Sequence, residues 1–316
     1  MVRSVTQPSC RCHGIQCGTA RISIVANTGW PSTPCCNNIF AARTRNVVAL
    51  PLDGEGVTLS AELGRCDYVF VTPSHQCPTN VTMPLARREA LMAWAMADDR
   101  VLIEDDYEIE LGFEGRAQPA LKSLDREGRV VYVSSLSKTL APGIRIGYIV
   151  GAPDLIREAR ALRRLMLRHP AANNERAVAL FLAMGYHDAL LRRMKEAHAE
   201  RMRIAAENLA LYLPDVTFGR VPGASSLWLC FPAGTDTRLL ANRAQLHGVL
   251  IEPGDVFFAG GGMATAAPCP YARLGFAAIP GERIGEGLRA LAAARRSLDV
   301  RDWHPPAGSR GGAGTA

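Results

Sequence analysis

The chain reads as an α/β protein, with a parallel or mixed sheet covered by helices on both faces and a smaller α+β unit after it. Three observations lead there. Short apolar runs of strand length alternate with helix-length periodic stretches from residue 47 to residue 213. After Pro214 the texture changes to shorter strands and turns. The composition is that of a chain with a large core: 316 residues, 48% apolar and 21% charged, at a mean hydropathy of +0.02, which excludes wholesale disorder.

The elements follow in order. Residues 1–45 are rich in Cys, Thr, Asn and Arg and read as irregular, apart from a possible strand at 21–26 (RISIVA). Residues 47–50 form a short apolar run before the turn Asp53-Gly54-Glu55-Gly56. Residues 68–72 (YVFVT) read as a buried strand ended by Pro73. Residues 84–97 read as a helix with Pro84 in its first turn, where a missing N–H costs nothing, and with Leu85, Met92, Ala95 and Met96 on one face. Strands are expected at 101–103, 130–134 and 146–150. Residues 153–213 are helical in pattern, with Leu162, Leu165, Met166 and His169 at helix spacing, then Leu180, Ala183 and Met184. Later strands are expected at 216–221, 227–231, 249–252 and 272–276, and helices at 237–247 and 282–297. The organisation is thus an N-terminal segment 1–45, a large domain 46–205, a small domain 206–298 and a Pro/Gly-rich tail 299–316 expected to be disordered.

Composition narrows the function. No run of 18 apolar residues occurs, so no membrane span is expected. No apolar segment follows Met1-Val2-Arg3-Ser4, so no secretory signal is expected, and the cytoplasm is the expected compartment. The net charge of +6 is mild, and the basic stretches at 157–168 and 192–195 are spaced like solvated helix faces. A nucleic-acid surface is the lesser reading, because no interleaved aromatics accompany that charge. Five of the nine cysteines fall in the first 36 residues, but Cys10-Arg11-Cys12-His13 with Cys17 lacks the paired C-x-x-C units of a structural zinc site, and no metal is expected.

Three segments carry chemistry. The first runs from Ser135 to Tyr148 (SLSKTLAPGIRIGY). Lys138 just after a buried strand would be partly desolvated, which makes a lysine nucleophilic, as Schiff-base chemistry needs. Ser135, Ser137 and Arg145 could hold a phosphate, with Gly143 and Gly147 letting backbone approach closely. The second is Glu104-Asp105-Asp106-Tyr107 at a strand's carboxyl end, where α/β sheets bind ligands. Alternation places Glu104 and Asp106 on one face and Asp105 and Tyr107 on the other, so the latter two can reach one ligand. The third is the loop Pro73-Ser74-His75-Gln76-Cys77-Pro78-Thr79-Asn80, again just after a strand.

With VTPSHQCPTNVTMPLARREALMAWA, IEDDYEIEL, SSLSKTLAPGIRIGY and ARLGF in this order, residues 47–294 resemble the fold type I, pyridoxal 5′-phosphate-dependent aminotransferases. Among these the chain looks most like the aminotransferase-like domain of MocR-type regulators of the GntR superfamily. The resemblance implies pyridoxal phosphate as cofactor, with Lys138 bonded to it, Asp105 at the pyridine nitrogen, Tyr107 at the phenolic oxygen, and Ser135, Ser137 and Arg145 at the phosphate. It places His75 and Gln76 along the ring edge and Arg273 on the substrate carboxylate. Cys77 and Asn80 depart from the common N-P-T-G form of that loop: Asn80 would have to supply the left-handed backbone of a glycine, and Cys77 offers no side-chain amide.

The glycine-containing turn and stacking aromatic that precede these motifs in the family are not recognisable in residues 1–45, nor is the winged helix-turn-helix of MocR regulators, so the chain reads as N-terminally truncated. Expected ligands are an amino acid or a 2-oxo acid, and the expected assembly is a homodimer without a DNA-binding module in this chain. Two functions compete: transamination, and effector sensing without turnover. An inactive fragment is the third reading.

Overall fold

The computed structural model describes residues 22–24, 47–108, 118–219, 223–258 and 268–298. The cysteine-rich start and the C-terminal tail of the sequence reading lie outside the described residues.

Strands β1 (Ile22–Ile24) and β2 (Val47–Ala49) lead into a hairpin of β3 (Leu52–Asp53) and β4 (Gly56–Val57). Then come β5 (Tyr68–Val71), helix α1 (Leu85–Ala97), β6 (Val101–Asp105), the single turn α2 (Leu121–Leu124), β7 (Val130–Ser135) and β8 (Gly147–Val150). The first sheet has the order β2-β1-β5-β6-β7-β8. Every neighbouring pair is parallel except β7 with β8. This is the mixed, mostly parallel sheet expected, and the described part of the strand read at 21–26, Ile22–Ile24, lies inside it, between β2 and β5. All four residues of β8 are exposed, and among the described residues β8 is one edge of the sheet, with β2 the other.

Leu50, Leu63, Val69, Val71, Leu91 and Leu102 form the core beneath α1. The buried stripe of α1 is Arg88, Leu91, Met92 and Ala95, spaced i, i+3, i+4, i+7. Leu85 and Met96, expected inside, are exposed, and Pro84 stands just before the helix as its N-cap. An arginine enters the stripe because three carbonyls meet it: Arg88 donates from Nε to Met83 O (2.9 Å), from Nη2 to Pro73 O (2.9 Å) and from Nη1 to Pro119 O (3.1 Å).

Three helices follow: α3 (Pro153–Leu167), α4 (Ala172–Ala183) and α5 (Tyr186–Tyr212). Leu162, Leu165 and Met166 keep the helical spacing read from sequence, yet stand 60%, 85% and 71% exposed, so that stripe is not core among the described residues. The antiparallel second sheet has the order β11-β12-β10-β9, from β9 (Thr217–Phe218), β10 (Ser226–Cys230), β11 (Glu252–Pro253) and β12 (Tyr271–Gly275). Two of its strands are shorter than expected. The run at 249–252 is irregular until Glu252, and 216–221 pairs only over two described residues. Helix α6 (Thr237–Leu246) starts where the Asp236 carboxylate caps the N–H groups of Arg238 and Leu239. Helix α7 (Gly281–Leu298) packs on α5. Leu209, Leu227, Leu229, Leu240, Leu274 and Leu288 make this second core.

Candidate active site

Strand alternation at the end of β6 sorts its carboxylates. Glu104 and Asp106 are 0% and 2% exposed and face the α1 and α2 side. Glu104 accepts the N–H groups of Leu121 (2.8 Å) and Lys122 (2.9 Å) at the start of α2, and Arg88 Nη1 lies 3.9 Å away. Asp106 accepts the Tyr132 hydroxyl at 3.4 Å, and burial together with the Glu104 charge pushes its carboxyl up to about 7. Asp105 lies on the other face. Burial pushes it up to about 6, opposed by the positive charge of Lys138. Tyr107 shares that side: its ring centroid is 5.8 Å from Lys138 Nζ, and its hydroxyl donates to His75 O at 3.0 Å.

Lys138 follows β7. Its side chain is half exposed, so the desolvation expected from sequence is not what the fold imposes. Its nearest ionic partner is Glu108, with Nζ 3.8 Å from Oε1. The Ser137 N–H donates to Ser135 Oγ at 3.2 Å, which closes the turn before the lysine. Arg145 is exposed, with φ 51, at the end of the short turn Pro142–Ile144. Gly147 is needed where it stands, because a Cβ there would lie 2.7 Å from Ser134 O on β7. Gly143, expected to serve the same purpose, has nothing within 4 Å of such an atom.

The 73–80 loop is buried almost throughout. Gln76 turns its amide onto Cys77 O at 3.2 Å. Asn80 takes the left-handed backbone expected of it, at φ 61, and donates from Nδ2 to Ser226 O at 2.8 Å, tying the loop to the second sheet. The Cys77 thiol is pushed up to about 12 by burial and packs with Phe257. Arg273, on β12, donates to Glu252 Oε2 at 2.9 Å.

Lys138 and Arg273 come from different sheets and line one cavity of about 620 Å³. Glu108, His198 and Arg201 line it too, with Phe276 among its apolar contacts. Burial and then the Arg201 charge hold the His198 imidazole below its ordinary range. Ser137 lines this cavity, whereas Ser135, Arg145, His75, Gln76, Asp105 and Tyr107 lie outside its lining. Glu108, His198 and Arg201 carry no signal that singles them out in the sequence. Only an acid directly after Tyr107 hints at Glu108, and nothing local marks one face of α5. Among the described residues no cluster of His, Cys, Asp and Glu could hold a metal ion, and no helix is long and apolar enough to cross a membrane.

These residues fit pyridoxal phosphate. Asp105 is a carboxylate whose charge the fold under-compensates, which suits a protonated ring nitrogen, and it sits on the Lys138 side of β6. The comparisons with known proteins agree. The chain is 38% identical over 279 residues to the HTH-type transcriptional regulator TauR of Rhodobacter capsulatus, covering 88% of this chain and 56% of that protein. It is 31% identical over 256 residues to aromatic-amino-acid aminotransferase 1 of Thermococcus litoralis, covering 78% of this chain and 60% of that one. It thus spans little more than half the length of these curated relatives. The crystal structure of LysN, the alpha-aminoadipate aminotransferase of Thermus thermophilus complexed with N-(5′-phosphopyridoxyl)-L-leucine, superposes with a TM-score of 0.80 at 27% identity, covering 89% of this chain and 72% of that one. The sequence profile of aminotransferase class I and II matches residues 38–291, and with the fold and the Asp105–Lys138 side of β6 described above, the chain belongs to that fold type I family, next to both regulators and enzymes.

Proposed function

We propose that this chain binds pyridoxal 5′-phosphate through Lys138 and supports transamination between an amino acid and a 2-oxo acid. The observation that carries the reading is the shared cavity: a lysine from the first sheet and an arginine from the second face one space at the carboxyl end of the parallel strands. When bound, the cofactor supplies an electron sink for charge that develops at the amino acid's α-carbon. Lys138 Nζ would hold the cofactor covalently and then move the α-proton. The Asp105 carboxylate would keep a proton on the ring nitrogen, and the Tyr107 hydroxyl would turn from His75 O to the ring oxygen. Ser135, Ser137 and Arg145 would take the phosphate, His75 and Gln76 would border the ring, and Arg273 would orient the substrate carboxylate.

The reading extends to residues 46–205, together with strand β1 that sits inside their sheet, as a cofactor-binding domain and to 206–298 as a small domain, supported by the two separate apolar cores. It also extends to a homodimer acting in the cytoplasm. A second reading, effector sensing without turnover, is favoured by the higher identity to the regulator TauR than to the aminotransferase.

The test is borohydride reduction in the presence of pyridoxal phosphate, followed by peptide mapping. The label belongs on Lys138. A label on Lys122 or Lys195, the other two lysines of the chain, overturns the assignment. Repeated turnover of an amino donor with a 2-oxo acid then supports the enzyme, and a bound donor without turnover supports the sensor.

A further inference from the structure

Glu108 has no role in the function proposed above, yet it is the one acid among the described residues that line the cavity. It is 2% exposed. Ser225 donates to it twice, from Oγ at 2.5 Å and from its backbone N–H at 3.4 Å. Ser225 stands just before β10, and its own carbonyl accepts the N–H groups of Phe276 and Ala277 after β12, both at 3.2 Å. The second sheet therefore fixes the Glu108 carboxylate, and that carboxylate lies 3.8 Å from Lys138 Nζ. A buried anion with two neutral donors is still short of charge compensation, and the lysine ammonium supplies it.

We propose that Glu108 is a positioning residue that holds the Lys138 side chain on the cavity wall through their charge pair and so governs how readily its amine reacts with a carbonyl compound. This rests on the reading of Lys138 as the reactive lysine. Other charged and titratable groups also face Lys138. Asp105 acts from β6 in the same sense as Glu108, while Arg193 and Arg201 on α5 and Arg273 on β12 share the cavity and oppose it, and His198 on α5 is held toward its neutral form by burial and Arg201. Tyr107 presents its ring, and Cys77 lies close enough to feel the lysine charge. Glu108 differs from Asp105 in being anchored by Ser225, so it does not follow the lysine when the lysine moves.

The test uses formaldehyde and borohydride, which modify lysines whether or not they bind a cofactor. The ammonium loses a proton to solvent and the free amine adds to the formaldehyde carbon. The oxygen leaves as water, and hydride from borohydride reduces the carbon–nitrogen double bond to a methylamine. Mass spectrometry reads Lys138, Lys122 and Lys195 in the same sample. Lys122 reports on folding, since its ammonium is held by Asp125 at 2.8 Å and Val130 O at 2.9 Å.

In Glu108→Gln, Lys138 should label about tenfold faster at neutral pH, with its pH profile moved to lower pH and Lys122 unchanged. Glu108→Asp keeps the charge one methylene further away and should fall between the two, which also covers the case in which the Gln variant does not fold. A Lys138 profile unmoved in a folded variant, or moved together with Lys122, overturns the proposal. Failure of pyridoxal phosphate to label Lys138 while formaldehyde does so overturns the cofactor reading instead.

Discussion

Asp105 and Asp106 are adjacent in sequence and serve opposite faces of the first sheet. Asp105 feels the charge of Lys138, while Asp106 bonds the Tyr132 hydroxyl and feels Glu104 and Arg88. Strand alternation alone separates them, and their substitutions should part in the same way.

Asp105→Asn removes the group expected to hold a proton on the cofactor ring. Single-turnover reaction with an amino donor should slow by about 10²-fold or more, while cofactor binding weakens far less. Stopped-flow spectroscopy checks both. Equal slowing in Asp106→Asn would show that the side of the strand does not matter.

Asp106→Asn should change stability rather than chemistry. The folded protein holds this carboxyl up to about 7, against an ordinary value of 3.8. Its protonated form is therefore favoured by folding. That contribution is whole below pH 3.8 and is lost as pH rises through about 7. The variant escapes the loss, so relative to the parent it should gain on the order of 2–4 kcal/mol between mildly acid and mildly alkaline pH. Glu104 is shifted in the same direction by burial and remains in both proteins, so the difference reads Asp106 together with its repulsion from Glu104. Urea titrations across that range measure it, and parallel curves would contradict the assignment.

Arg88→Met leaves three carbonyls, two of them in buried bonds, and the Glu104 carboxylate without their cationic donor. The expected loss is about 3–5 kcal/mol, read as a fall in the denaturation midpoint. Arg87→Ala is the control. It breaks the pairs with Asp53 and Glu55, whose side chains are 42% and 59% exposed, and one bond to Val57 O, and should cost about 1–2 kcal/mol.

Arg273 and Glu252 make the last prediction. The arginine expected to grip a substrate carboxylate already bonds Glu252 at 2.9 Å. A ligand carboxylate has to displace that partner, so Glu252→Gln should tighten amino-acid binding several-fold, roughly a 1 kcal/mol effect. Arg273→Ala should abolish the preference for an amino acid over its decarboxylated amine. Calorimetric titration with both ligands checks the pair, and equal affinity for them in the unaltered protein would remove Arg273 from the site.

Much of the fold and half of the site are legible in the chain itself. Runs such as Tyr68–Val71 and residues 130–133 are apolar because parallel strands are covered on both faces, and that pattern is local. Period-two alternation likewise tells Asp105 and Tyr107 from Glu104 and Asp106 by sequence position alone. Lys138 is recognisable from its position after β7, but its half-exposed state is not, because exposure depends on what packs over a residue. The burial of Arg88 depends on carbonyls at Pro73, Met83 and Pro119 that converge only in three dimensions. The Glu108–Ser225 bond, the Arg273–Glu252 pair and the α5 face with His198 and Arg201 join segments far apart in sequence. Local periodicity records which side of its own element a residue faces. Which distant charge waits on that side is decided by tertiary packing, because burial makes an unmatched charge costly wherever its partner comes from.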